Sequence, residues 1–143
     1  MRKAAILAVA VAALATTACD ISSLIPQPPG SISGLVTTSQ TQQQTLTLNV
    51  FAGTQNGQSI TVRSTYSQAS IPQGENSAPF IIAQVQPGTY SVFAWRDANG
   101  NGTVDQGDWF GSTDNVTVRG GQNTPGVTVS VSQYTGQPIQ VGR

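Results

Sequence analysis

Val127, Val129 and Val131 occupy every second position of their stretch, and Leu46, Leu48, Val50 and Ala52 do the same nearer the front of the chain. A period of two sends alternate side chains to opposite faces of an extended backbone. Such stretches can hide their apolar residues only as β-strands with one face on a core. Ile60 and Val62, and Val116 and Val118, repeat the pattern in shorter form, while Tyr90–Arg96 places Phe93 and Trp95 opposite Val92 and Ala94. Ala78 to Val85 is a nearly continuous apolar run, which predicts a central strand buried on both faces. Turn residues punctuate these runs at roughly 8–12-residue intervals, and no stretch beyond Cys19 carries a helical period. The pattern predicts one all-β domain over residues 31–143, a β-sandwich of about seven antiparallel strands. Gln40 to Gln44 sits between two of the expected strands and reads as a loop.

The front of the chain follows a different logic. Arg2 and Lys3 precede an unbroken apolar run from Ala4 to Ala15, then Thr16, Thr17, Ala18 and Cys19. The run suits a secretory leader and is shorter than the roughly 20 residues that cross a bilayer. Small residues ahead of a lone cysteine resemble the lipobox of bacterial lipoproteins. That resemblance implies a signal peptide at 1–18, cleavage before Cys19 and a lipid on its sulfur. Thr16 stands where leucine is usual, which keeps open plain secretion after Ala18 without a lipid. Residues 19–30, with Pro26, Pro28 and Pro29, read as a tether between anchor and domain, or alternatively as a first strand packed on the sandwich. These readings place the domain outside the cytoplasm, facing the periplasm or the exterior, and joined to a cell or outer membrane through Cys19.

Beyond Cys19 the cations are Arg63, Arg96, Arg119 and Arg143, and the acids are Asp20, Glu75, Asp97, Asp105, Asp108 and Asp114, a formal net charge of −2. Nothing there forms a basic stripe for nucleic acid. With one cysteine, no internal disulfide can form, so packing, with or without a bound ion, must supply stability. Histidine is absent, and lysine is absent after Lys3. No nucleophile–base pair and no phosphate-cradling glycine loop is recognisable, so the domain is expected to lack enzymatic activity.

Residues 97–108 read DANGNGTVDQGD. Aligned with a twelve-residue calcium loop, Asp97, Asn99, Asn101, Thr103 (through its carbonyl), Asp105 and Asp108 fall on the ligand positions, and Gly102 on the sharp turn. The spacing matters because calcium takes six to eight oxygens at about 2.3–2.6 Å, so a short loop must double back on itself. A bare Asn-Gly turn is the alternative, although it leaves the register of Asp105 and Asp108 unexplained. Asparagine at two ligand positions, and Asp108 in place of glutamate, predict one weak structural Ca2+ site with Kd on the order of 10⁻⁴–10⁻³ M.

Ser31–Val36 (SISGLV) and Pro87–Val92 (PGTYSV) look like strands of prealbumin-like β-sandwiches, an immunoglobulin-like architecture. The group includes carboxypeptidase regulatory-like domains and collagen-adhesin B-type repeats, in some of which a comparable calcium loop follows the second strand. The resemblance implies a fold used as spacer, adhesin module or ligand binder. The lysine–asparagine staple of some B-type repeats has no lysine to form it here. Two functions follow as expectations. One is a non-enzymatic envelope lipoprotein with a structural or protein-contact role. The other is a module for carbohydrate or another small ligand, using Trp109, Phe110 and Tyr134 beside the loop. A partner in the envelope, protein or glycan, fits either.

Overall fold

The computed structural model describes residues 25–143. The expected signal peptide and Cys19 lie outside the described residues. Ten strands follow in chain order: β1 Gly30–Thr38, β2 Leu46–Asn56, β3 Ser59–Val62, β4 Ser67–Ile71, β5 Ser77–Val85, β6 Gly88–Arg96, β7 Thr103–Val104, β8 Trp109–Val118, β9 Asn123–Gln133 and β10 Ile139–Gly142. Among the described residues there is no helix. The all-β expectation holds, with two corrections.

Among the described residues the strands number ten rather than about seven, and they do not form a purely antiparallel sandwich. They join in one curled, mixed sheet of order β5-β1-β9-β8-β6-β2-β3-β10-β7, with β4 also on β2. β1 runs parallel to β9, and β3 parallel to β10. Two would-be layers become one sheet because β8 and β9 are bonded across it, with Trp109 opposite Gln133 and Phe110 opposite Ser132. β2 is long enough to serve two neighbours on one side, pairing β4 along Leu46–Val50 and β3 along Gly53–Asn56. β4 comes to lie beside β5 with no ladder between them, so the curl stops short of a closed barrel.

The curl encloses the larger core. Leu46, Leu48, Val50 and Ala52 of β2 meet Val92 and Ala94 of β6, Ile32 and Val36 of β1, and Val127, Val129 and Val131 of β9. A second, smaller core lies on the other face of β2 and β6, where Phe51, Phe93 and Trp95 pack with Ile60, Val62, Val104 and Ile139. β2 and β6 are therefore the strands buried on both faces, with Val50–Gly53 and Val92–Trp95 all buried. Ala78–Val85, expected to be central, instead ends the hydrogen-bonded path as β5. Ala78, Phe80 and Ile82 face the core, whereas Ile81 is 59% exposed. An end strand also suits Pro79, which has no N–H to give to a second neighbour.

Residues 25–29 precede β1. The Pro28 carbonyl accepts from Gly121 N (3.0 Å), and Ser31 N donates to the Gln122 carbonyl (2.9 Å), so this stretch runs against the turn between β8 and β9.

β1 and β9 approach so closely that Gly34 has no room for a side chain. A Cβ there would collide with the Val127 carbonyl. We expect Gly34→Ala to cost at least about 1–3 kcal/mol, because backbone must move to admit the methyl group. Gly142→Ala, where nothing lies within 4 Å, should stay within about 0.5 kcal/mol. Urea unfolding midpoints of the two variants check the contrast.

Candidate metal centre

β6 ends at Arg96 and β8 begins at Trp109, so the twelve residues of interest form a strand-to-strand connection rather than a helix–loop–helix. Val104 anchors its middle. It is fully buried in the second core and lies opposite Ile139 in the short β7–β10 ladder. Gly100 (φ 74°) and Gly102 (φ 76°) take the left-handed conformation that lets the chain reverse.

Within that frame, four of the expected ligands gather. The Asp97 carboxylate caps the turn: Oδ1 accepts from Gly100 N (2.6 Å) and Asn101 N (3.3 Å), and Oδ2 from Gly102 N (2.8 Å). Asn99 Oδ1 accepts from Asn101 N (3.0 Å), and Asn101 Oδ1 from Thr103 N (2.8 Å). Their amide groups then converge on Asp105. Asn99 Nδ2 donates to Oδ1 at 3.1 Å, and Asn101 Nδ2 donates to Oδ2 at 2.6 Å. Two amide donors thus occupy the place where a cation would face Asp105.

Asp108 stands apart from this cluster. It is 1% exposed, and its carboxylate points into the protein. Oδ2 accepts from Trp95 Nε1 (2.9 Å) and Asp105 N (3.2 Å), and Oδ1 from Ala98 N (2.9 Å). Its backbone is tied as well, since Tyr134 N donates to its carbonyl at 2.7 Å. Asp108 fastens both ends of the loop to the second core. Trp95 is the partner missed in the sequence, although a buried indole N–H two residues before the loop needs an acceptor nearby.

The donor set matches a hard cation in chemistry, being all oxygen, and differs from a calcium site in arrangement. Among the described residues no three carboxylate, thiol or imidazole groups stand close enough to hold an ion. The loop is satisfied by its own hydrogen bonds, and a cation would enter by displacing the two asparagine amides from Asp105.

The three aromatic candidates do not form one platform. Phe110 and Tyr134 pack edge to face (centroids 5.6 Å, 80°), Phe110 stacks on Phe93 (6.0 Å), and both are half-buried against the second core. The Tyr134 hydroxyl donates to the Gln137 carbonyl (2.7 Å). Trp109, one residue earlier, turns to the opposite face and packs against the larger core.

Replacing Asp108 with asparagine would set an NH2 group against one of the donors now bonded to its oxygens. Asp108→Asn should lose about 1–3 kcal/mol. The loss should be present already in EDTA, before any ion can contribute, as read from thermal unfolding curves.

No curated protein and no solved structure matches the chain. A family model does, over residues 35–131, from Leu35 in β1 to Val131 in β9 and across the whole 97–108 loop. The chain belongs to DUF2141, a family described as uncharacterized proteins conserved in bacteria.

Proposed function

We propose that the protein is a non-enzymatic module of the bacterial cell envelope. It is exported by residues 1–18, held on a membrane through lipidated Cys19, and stiffened by one weak calcium ion in the loop 97–108. The observation that carries the reading is the gathering of Asp97, Asn99, Asn101 and Asp105 at one turn. Two carboxylates within one short loop repel each other unless donors or a cation compensate them.

Asp97, Asn99, Asn101, the Thr103 carbonyl and Asp105 would hold the ion. Asp108, expected as the sixth ligand, keeps its backbone and indole bonds and serves as the anchor beneath the site. A bound Ca2+ would neutralise Asp97 and Asp105 and cross-link the end of β6 to the start of β8. The loop is hydrogen-bonded already, so calcium adds rigidity to a formed turn. With two carboxylates facing the ion, affinity belongs at the weak, extracellular end of the calcium range, on the order of 10⁻³ M. Such a site reads a constant millimolar environment and has no use as an intracellular switch.

A second reading, a module for carbohydrate or another small ligand, rests on Trp109. Of the three candidate aromatics, it alone borders an open groove on the larger-core face, together with Arg96 and the glutamine-rich loop.

Two measurements test the main reading. A tenfold excess of calcium over Kd stabilises the folded state by about 1.4 kcal/mol, which should raise the unfolding midpoint by roughly 3–6 °C in a domain of this size. Asp97→Ala should unfold at lower temperature and show no calcium response. An unchanged midpoint in the unsubstituted protein would reduce the loop to a turn. The anchor is tested separately by labelling cells with radioactive palmitate. The unsubstituted chain should carry label in the membrane fraction, and Cys19→Ser should carry none and leave that fraction.

A further inference from the structure

Arg96 and Trp109 are Cα partners in the β6–β8 ladder, so their side chains share a face. It is the face on which Val92 and Ala94 meet the larger core, here at the open end of the curl. Trp109 packs partly on that core, and the rest of its ring borders a groove of about 270 Å³ whose far wall is the loop Gln40–Thr45. Among the described residues lining this groove, Arg96 is the one charged side chain.

The glutamine loop is a formed wall. Gln42 is 8% exposed, and its Nε2 donates to the Gln40 carbonyl at 2.9 Å. Its backbone N donates to the Glu75 carbonyl (3.1 Å), and its carbonyl accepts from Gly74 N (2.9 Å). With Gln42 tied down, Gln40, Gln43 and Gln44 are exposed along the groove.

We propose that this groove binds a carboxylate-bearing saccharide, with one uronic-acid-type ring seated between Trp109 and the glutamine loop. The inference rests on the ligand-binding reading above, gives it a place and a ligand chemistry, and needs no metal. An indole face suits the C–H face of a sugar ring. The planar guanidinium of Arg96 matches a carboxylate through two parallel hydrogen bonds. Glutamine amides both donate and accept, as sugar hydroxyls require. The volume lies just below the usual span of ligand sites, which fits a single ring better than a long chain. One cation is too few for a polyphosphate backbone. The larger cleft of about 530 Å³ beside Asp114 is a weaker candidate. Its carboxylate already accepts from Ser91 Oγ (2.6 Å), and the hydroxyl of its Tyr90 donates to the Gln86 carbonyl (2.8 Å).

The test is calorimetric titration of the full chain, in detergent, with galacturonic acid oligomers and with neutral maltose-series oligomers. Saturable binding of the acidic series is expected. Arg96→Gln, an exposed change, should weaken it on the order of tenfold or more, and Trp109→Phe should weaken it further, with the near-ultraviolet circular dichroism of Trp95 retained. Equal binding of the neutral series would overturn the carboxylate assignment. Acidic binding untouched by either substitution would overturn the groove and leave the ligand-binding reading standing elsewhere on the surface. Absence of binding by both series would overturn the two together.

Discussion

The carboxylate of Asp108 is taken almost wholly out of water, and the groups that meet it are N–H donors from Trp95, Ala98 and Asp105. Removing a charge from water is costly unless hydrogen bonds replace the lost solvation. Here they do, since no buried side-chain polar atom among the described residues lacks a partner. The consequence is mechanical. Ala98 lies at the entrance to the loop, Asp105 near its exit and Trp95 in β6, so one carboxylate ties both ends of the loop to β6. Asp97, Asn99, Asn101 and Asp105 can form a turn of defined shape because the two ends on which that turn stands do not move independently.

The same residue explains how the second core is closed. Trp95 could not be buried beside Phe93 and Val104 without an acceptor for its indole N–H, and Asp108 supplies one from the far end of the loop. Val104 then brings the middle of the loop onto the core, where β7 pairs with β10. The loop is thus part of the packing, with its polar rim outward and its anchors inward. Double-sided burial of β2 and β6 follows from this arrangement, since without β3, β7, β10 and the loop their outer faces would present Phe51, Phe93 and Trp95 to water.

Strand identity was legible wherever a period of two ran for four residues or more. Leu46–Ala52, Tyr90–Arg96 and Val127–Val131 fall on strands with the faces their alternation predicts. β7 and β10, two and four residues long, offer too few positions for any period to register. In β4 only Ala69 and Ile71 are buried, a signal too thin to separate from a loop. Parallel pairing of β1 with β9 was beyond reach for a different reason: it joins residues such as Val36 and Val129, and alternation in either strand carries no information about its partner. Ala78–Val85 misled because an apolar run implies burial on both faces, whereas here Ile81 and Pro79 lie on an exposed outer face. At the loop, the spacing of oxygen-bearing residues picks out Asp97, Asn99, Asn101 and Asp105, which share one hydrogen-bonded turn, but it does not distinguish a carboxylate aimed at an ion from one aimed at an indole. That choice depends on Trp95, which lies outside the twelve-residue pattern.

Arg96 immediately precedes the loop and Trp109 immediately follows it, so the residues that flank the candidate ion site are also the cross-strand pair at the mouth of the groove. Their separation is set by the β6–β8 ladder, and the loop is the covalent connection that holds the ends of these two strands in register. Any stiffening of the loop, by hydrogen bonds alone or by an ion added to them, narrows the range of positions open to both side chains. A ligand that spans Arg96 and Trp109 would favour the same restricted geometry, and reciprocity of linkage then requires ligand and ion to strengthen one another. The coupling would be modest, because Asp108 has already fixed the loop ends before either arrives. Pre-organisation by a buried carboxylate is what would allow a small domain without disulfides to keep a polar groove open at its rim.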